Sequence, residues 1–158
     1  MLSIVGMGPG KKEGMTLEAI KAAEEADLIV GYGVYTDLMK EWLPDKNYYK
    51  TPMKQEVERC RYALEAAEKG QNVAVICSGD AGIYGMASLL FTLYKKEYAK
   101  EDESEEIEIK VIAGVTAANA GAAVLGAPLS HDFAVISLSD LLTPKELIER
   151  RLRMAAKA

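Results

Sequence analysis

Apolar runs of strand length alternate along this chain with segments whose apolar residues recur every three or four positions. Residues 2–5 read as a first strand that breaks at once into Gly6-Met7-Gly8-Pro9-Gly10. A helix then starts with Thr16 as N-cap and Glu18 in its first turn, and turns Leu17, Ile20 and Ala23 inward. Residues 27–31 form a second strand, apolar at its centre, and residues 41–54 a loop with a short strand around Tyr48 and Tyr49. The next helix spans 55–69, with Val57, Cys60, Leu64 and Ala67 as its seam and Gly70 as its stop. Glu56, Glu58, Arg59, Arg61, Glu65, Glu68 and Lys69 make up its expected wet side.

A third apolar run, residues 73–77, leads through a glycine-rich turn into a helix over 84–96 that buries Met86, Leu89, Leu90 and Leu93. Residues 95–106 are too polar to bury anything and read as an exposed loop. Ile107, Ile109 and Val111 alternate with Glu108 and Lys110, which predicts a strand with one wet face near a sheet edge. Residues 113–123, almost all Ala and Gly, read as a helix capped by Thr116. A turn at 126–129, a strand over 133–138 and a capping box at Thr143-Pro144-Lys145-Glu146 follow; the box opens a helix with Ile148, Leu152 and Ala155 on one face.

Strand, helix, strand with continuously apolar strands means an α/β fold with a parallel-rich sheet covered on both faces. No strand follows the last helix, so the pattern reads as an N-terminal α/β domain over 1–113 and an incomplete, truncated second α/β domain over 114–158. At 158 residues, 49% of them apolar, the chain suffices for one well-buried domain or most of two small ones. No apolar run reaches membrane-spanning length and the start lacks a signal-peptide pattern, so a soluble cytoplasmic protein is expected, with no membrane partner. A net charge of −5 without a basic stripe speaks against nucleic acid. Cys60 and Cys77 lack C-x-x-C or histidine-rich spacing, so they read as buried free thiols and no metal is expected.

Candidate chemistry centres on Ser78-Gly79-Asp80-Ala81-Gly82-Ile83-Tyr84-Gly85-Met86, a loop at the carboxyl end of a buried strand, where α/β folds place their sites. It holds no Lys or Arg and does hold Asp80, which suits hydroxyls, an amine or a cationic centre rather than a phosphate. Gly79-Asp80 as a mere tight turn with a capping aspartate is the alternative. The first glycine loop fails as a dinucleotide fingerprint: Lys11 stands where glycine is needed, and Pro9 keeps Gly8 out of helical geometry. The small-residue helix admits a very close neighbour, either a ligand or another backbone. Tyr32 and Tyr35 either line a pocket for a flat organic substrate or pack over the sheet edge. His131, the single histidine, is either a general base or the partner of Asp132 in a local hydrogen-bond pair.

Gly6-Met7-Gly8-Pro9-Gly10, the loop from Ser78 to Ala87, Gly114-Val115-Thr116-Ala117-Ala118-Asn119-Ala120, and the stretch from Leu125 through His131-Asp132-Phe133 to Thr143-Pro144 together resemble the tetrapyrrole (corrin/porphyrin) methyltransferases. GAPLSHDF and ISLSDLLTP resemble the branch that methylates C-17 of a precorrin or cobalt-precorrin during cobalamin biosynthesis. The resemblance implies a two-domain enzyme, usually a homodimer, that folds S-adenosylmethionine into its cleft and couples methyl transfer to ring contraction, with His131 or Asp132 as the candidate to move protons in that step. By motif, the cofactor contacts fall on Pro9, Gly79, Asp80, Ile83, Thr116 and Ala117. The substrate's carboxylates have Lys11, Lys12, Lys54, Arg59 and Arg61 as available partners, though as surface residues these need no such role. Another methyltransferase of the superfamily, or a non-catalytic fragment, is the competing reading.

Overall fold

Apolar strands with no polar face have to be covered on both sides. In the computed structural model, which describes residues 1–99, 106–141 and 143–157, they are. Five strands, β1 (Leu2–Gly6), β2 (Leu28–Tyr32), β3 (Asn47–Thr51), β4 (Val73–Cys77) and β5 (Ile109–Ile112), form one parallel sheet in the order β3-β2-β4-β1-β5. Register aligns Leu28, Val73 and Leu2 in one cross-strand row and Val30, Val75 and Ile4 in the next. Those rows pack against helices α3 (Glu56–Glu68) and α4 (Ala87–Leu93). Val5, Ile29, Ala74 and Ile76 point the other way, into a second cluster with residues of α1 (Leu17–Glu25) and α2 (Gly33–Lys40).

The chain divides into two compact units, residues 1–120 and 121–158. Helix α5 runs Ala117–Leu125 and carries no buried residue. In the second unit Gly126 takes φ 63, and the Gly126 and Ala127 amides donate to Ala123 and Ala122, closing α5 in a left-handed cap. Gly70 ends α3 the same way, as its position in the sequence announces. Helix α6 (Lys145–Ala155) buries Ile148. No helix among the described residues is long and apolar enough to cross a membrane.

Several expectations are corrected. Residues 133–138 form no strand: Phe133 and Leu138 are exposed, and among the described residues of the second unit there is no neighbouring strand to supply a ladder. The capping box at 143–146 does not form, because Pro144 keeps an extended ψ of 137 and is itself the N-cap, so α6 starts one residue later. The helix expected from residue 84 begins at Ala87, since Tyr84 takes φ 54, which no helix tolerates. It continues past Leu93 as a π-helical turn, Tyr94–Tyr98, which carries it two residues beyond the expected end at 96 and into the stretch expected as a loop. The rest of that loop, residues 100–105, lies outside the described residues.

Leu17 is 86% exposed; α1 meets the sheet through Ala19 and Ala23, four apart, which puts Leu17 on the opposite side. Its cap does form, with the Ala19 amide donating to Thr16 Oγ1 at 3.1 Å. Residues 33–40 are a helix that periodicity did not announce, closed locally by Thr36 Oγ1 donating to the Gly33 carbonyl. The edge position of β5 holds, but Ile112 is its buried residue, while Val111 is exposed.

Cys60 and Cys77 are buried and free. Burial pushes the Cys60 thiol up to about 12 against a small opposing pull from Arg59, and pushes Cys77 up despite the Met86 amide beside it. The thiolate is the reactive form. Neither cysteine should therefore be alkylated by iodoacetamide at pH 8 in the folded protein, while both react fully in denaturant; mass spectrometry of the two samples checks this.

Candidate functional site

The sheet order itself selects a place for a ligand. β1 connects through α1 to β2, on one side of the adjacent pair β4-β1, and β4 connects through α4 to β5, on the other. α1 and α4 cover opposite faces, so the chain parts above the carboxyl ends of β1 and β4, where open α/β sheets bind ligands.

The two loops that leave these strands are tied together. Gly8 and Gly79 exchange both backbone hydrogen bonds, at 3.0 and 2.9 Å, and both take φ 64. A side chain at Gly8 would strike the Gly14 carbonyl at 2.6 Å, and one at Gly79 would lie 3.7 Å from Thr116 Cα and the Ala117 amide. A third loop, following β5, is brought in by Gly114: a Cβ there would collide with the carbonyl of Gly79 and sit 2.6 Å from that of Gly6. Three backbones thus meet where only glycine fits.

Asp80 supplies the polar tie. Oδ1 accepts from the amides of Gly82 (2.8 Å) and Ile83 (3.1 Å), and Oδ2 accepts from Gly114 (3.0 Å). The carboxylate therefore both shapes its own loop and pins it to the loop after β5. The turn reading of this residue holds: three of its roughly four lone-pair positions are filled by backbone amides, and the fourth has no protein partner among the described residues.

Of the residues singled out by motif, Gly79, Asp80, Thr116 and Ala117 come together here, with Pro9 and Ile83 on the same loops; Pro9 and Ile83 are exposed. No Lys or Arg occurs among residues 6–10, 78–86 or 113–117. His131 and Asp132 belong to the second unit, both exposed, and among the described residues no hydrogen bond joins them.

The far end of the 78–86 loop walls a separate pocket of about 250 Å³, together with Tyr32, Tyr35 and Arg59. The Tyr32 and Tyr35 rings meet edge to face at 5.3 Å, and Ser78 Oγ donates to Tyr35 Oη at 3.0 Å. The two tyrosines pack on each other and line this cavity. Arg61 is engaged bidentately by Glu97, at 2.9 Å for each contact. Lys12 lies over the Trp42 ring. Arg59, expected on the wet side of α3, is only 4% exposed. The signal that would have found it is the row Arg59, Ala63, Ala66: small residues at i+4 and i+7 widen the buried stripe beyond the four-residue seam.

A family profile described as tetrapyrrole (corrin/porphyrin) methylases matches residues 1–158. A probable cobalt-factor III C(17)-methyltransferase of Salmonella typhimurium is 51% identical over 158 residues, covering 100% of this chain and 63% of that protein. A precorrin-3B C(17)-methyltransferase of a Sinorhizobium species is 40% identical over 157 residues, covering 99% of this chain and 60% of that one. The crystal structure of the methyltransferase CobJ superposes with a TM-score of 0.86 at 39% identity, over 99% of this chain and 63% of that structure. The chain thus spans somewhat less than two thirds of the length of these relatives.

Proposed function

This chain belongs to the tetrapyrrole (corrin/porphyrin) methylases, and on that premise we propose that it takes part in S-adenosylmethionine-dependent methylation of a corrin precursor, at C-17 of precorrin-3B or its cobalt counterpart, in cobalamin biosynthesis. The observation that carries the reading is the junction of three glycine loops around Asp80, with no cation among them. Without a Lys or Arg, and with a carboxylate at its centre, the junction disfavours a phosphate. S-adenosylmethionine, which lacks phosphate and carries an amine and a sulfonium, fits a cleft of backbone groups and one carboxylate.

Gly79, Thr116 and Ala117 would give the cofactor close backbone approach, with Pro9 and Ile83 at its margin and the remaining lone pair of Asp80 accepting a hydrogen bond. The cofactor supplies a methyl group already activated by the sulfonium charge, so no protein nucleophile is needed. What the chain contributes is placement and exclusion of water. The 78–86 loop does this by belonging to two sites: its start forms the glycine junction, and its end walls the tyrosine-lined pocket in which we place the flat acceptor. We further propose a cytoplasmic homodimer as the working form, on the family resemblance, with sedimentation velocity as its check.

Saturating S-adenosylhomocysteine at roughly a hundred times its dissociation constant should raise the unfolding free energy by about 2.7 kcal/mol. Incubation of S-adenosylmethionine with cobalt-precorrin-3 should add one methyl to the tetrapyrrole by mass spectrometry. Stabilisation by S-adenosylhomocysteine with no methyl transfer to any precursor would leave cofactor binding standing and overturn the C-17 methylation.

A further inference from the structure

Among the described residues Arg59 is the one buried cation, and the function proposed above gives it no task. Its Nε donates to Thr51 Oγ1 at 2.9 Å, its Nη2 to the Pro52 carbonyl at 3.2 Å, and its Nη1 to Met86 Sδ at 3.8 Å. A guanidinium has five N–H donors. Three are engaged here, one of them with a thioether, which is a weak acceptor. Among the described residues none of its partners is a carboxylate. Arginine is seldom buried without a pairing anion, because taking the charge out of water is costly.

The side chain reaches the wall of the pocket it shares with Tyr32, Tyr35, Ser78, Tyr84 and Met86. Glu56, the pocket's one carboxylate, accepts from the Lys54 amide at 3.2 Å rather than from Arg59. Thr51 and Pro52 grip the guanidinium from the end of β3, and Met86 from the loop that also carries Gly79 and Asp80. The arginine is therefore fixed before any ligand arrives, and its remaining donors cost little to order.

We propose that Arg59 is the anion subsite of this pocket and takes a peripheral carboxylate of the tetrapyrrole acceptor, orienting the macrocycle on the tyrosine side of the 78–86 loop. This rests on the function proposed above. Arginine suits the task because its planar fork engages a carboxylate through two parallel hydrogen bonds, which lysine does not reproduce. The subsite also answers how an acidic protein holds a polycarboxylate: one desolvated cation, positioned in advance, in place of a basic surface.

The test uses uroporphyrin and its full methyl ester as probes, with binding followed by tetrapyrrole absorbance, and S-adenosylhomocysteine binding measured in parallel by calorimetry. Wild type should prefer the free acid, and Arg59→Met should weaken acid binding by roughly 10- to 100-fold, the range of a hydrogen bond to a charged group. The ester should be unaffected, so the preference disappears, and S-adenosylhomocysteine affinity should hold. Arg59→Lys should fall between. A purely structural arginine would lower the melting temperature while leaving the acid preference intact, and that result overturns the proposal. Should both variants fail to fold, wild type decides alone: no preference for the acid over the ester rejects the subsite. Loss of the acid preference in wild type with S-adenosylhomocysteine still bound sinks only the subsite, whereas a protein that binds neither ligand sinks the methyltransferase reading as well.

Discussion

Alanine at Gly114 is expected to destabilise the first unit by about 3 kcal/mol or more, the upper range for inserting a methyl where no space exists. The new Cβ would overlap the Gly79 carbonyl and lie 2.6 Å from the carbonyl of Gly6. Both obstacles are backbone, held by the Gly8 to Gly79 hydrogen bonds and by the Asp80 tie, so neither can rotate away as a side chain would. For a unit of this size the loss corresponds to a drop of roughly 10 °C in melting temperature, a large part of a domain's usual 5–15 kcal/mol margin. Gly121 is the internal control. It lies in α5, a methyl added to it would have nothing within 4 Å, and its φ is not left-handed. Gly121→Ala should leave stability unchanged or raise it by about 0.5–1 kcal/mol through helix propensity. Differential scanning calorimetry on both variants separates the two; equal melting temperatures would show that the three loops do not meet as described.

The second large effect is at Asp80. Asp80→Ala leaves the amides of Gly82, Ile83 and Gly114 without their acceptor. Those of Gly82 and Ile83 are reached by water, so most of the roughly 1–3 kcal/mol cost falls on the part-buried Gly114 bond. Ligand binding suffers as well, because the loop must now be ordered at the moment of binding. S-adenosylhomocysteine affinity should fall at least roughly tenfold, equivalent to about 1.4 kcal/mol. Asp80→Asn should fare no better. Amides face both carboxylate oxygens, so whichever way the asparagine turns, its NH₂ confronts an N–H donor. Wild-type affinity of the asparagine variant by calorimetry would show that the carboxylate does not organise the site.

These two positions show where local reading of the chain stops. Thr16 as N-cap, Gly70 as a helix stop, the buried thiols and the edge placement of β5 all depend on near neighbours and on period, and each was legible. The glycine-rich loop after β4 was legible as well, by its glycines, its single carboxylate and its lack of a Lys or Arg, all of which are local facts. Tyr84 at φ 54 was not, because a tyrosine announces nothing of a left-handed turn; only the meeting of its loop with the rest of the fold holds it there. Residues 133–138 misled in the opposite sense. Their composition favours a strand, but a strand exists only with a neighbour to pair with.

The amino-acid sequence by itself determined the alternation of strands and helices, the parallel sheet buried on both faces, and a glycine-rich loop that carries a carboxylate and no cation. Those follow from periodicity and side-chain chemistry, which are local. The tertiary structure alone decided that Asp80 binds the amide of a residue 34 positions away, that three glycine backbones touch, and that Arg59 is buried at a pocket wall. The physical reason is the same in each case: which partner a polar group finds, and how near two backbones come, is fixed by segments distant in the chain that meet only when the sheet closes its order.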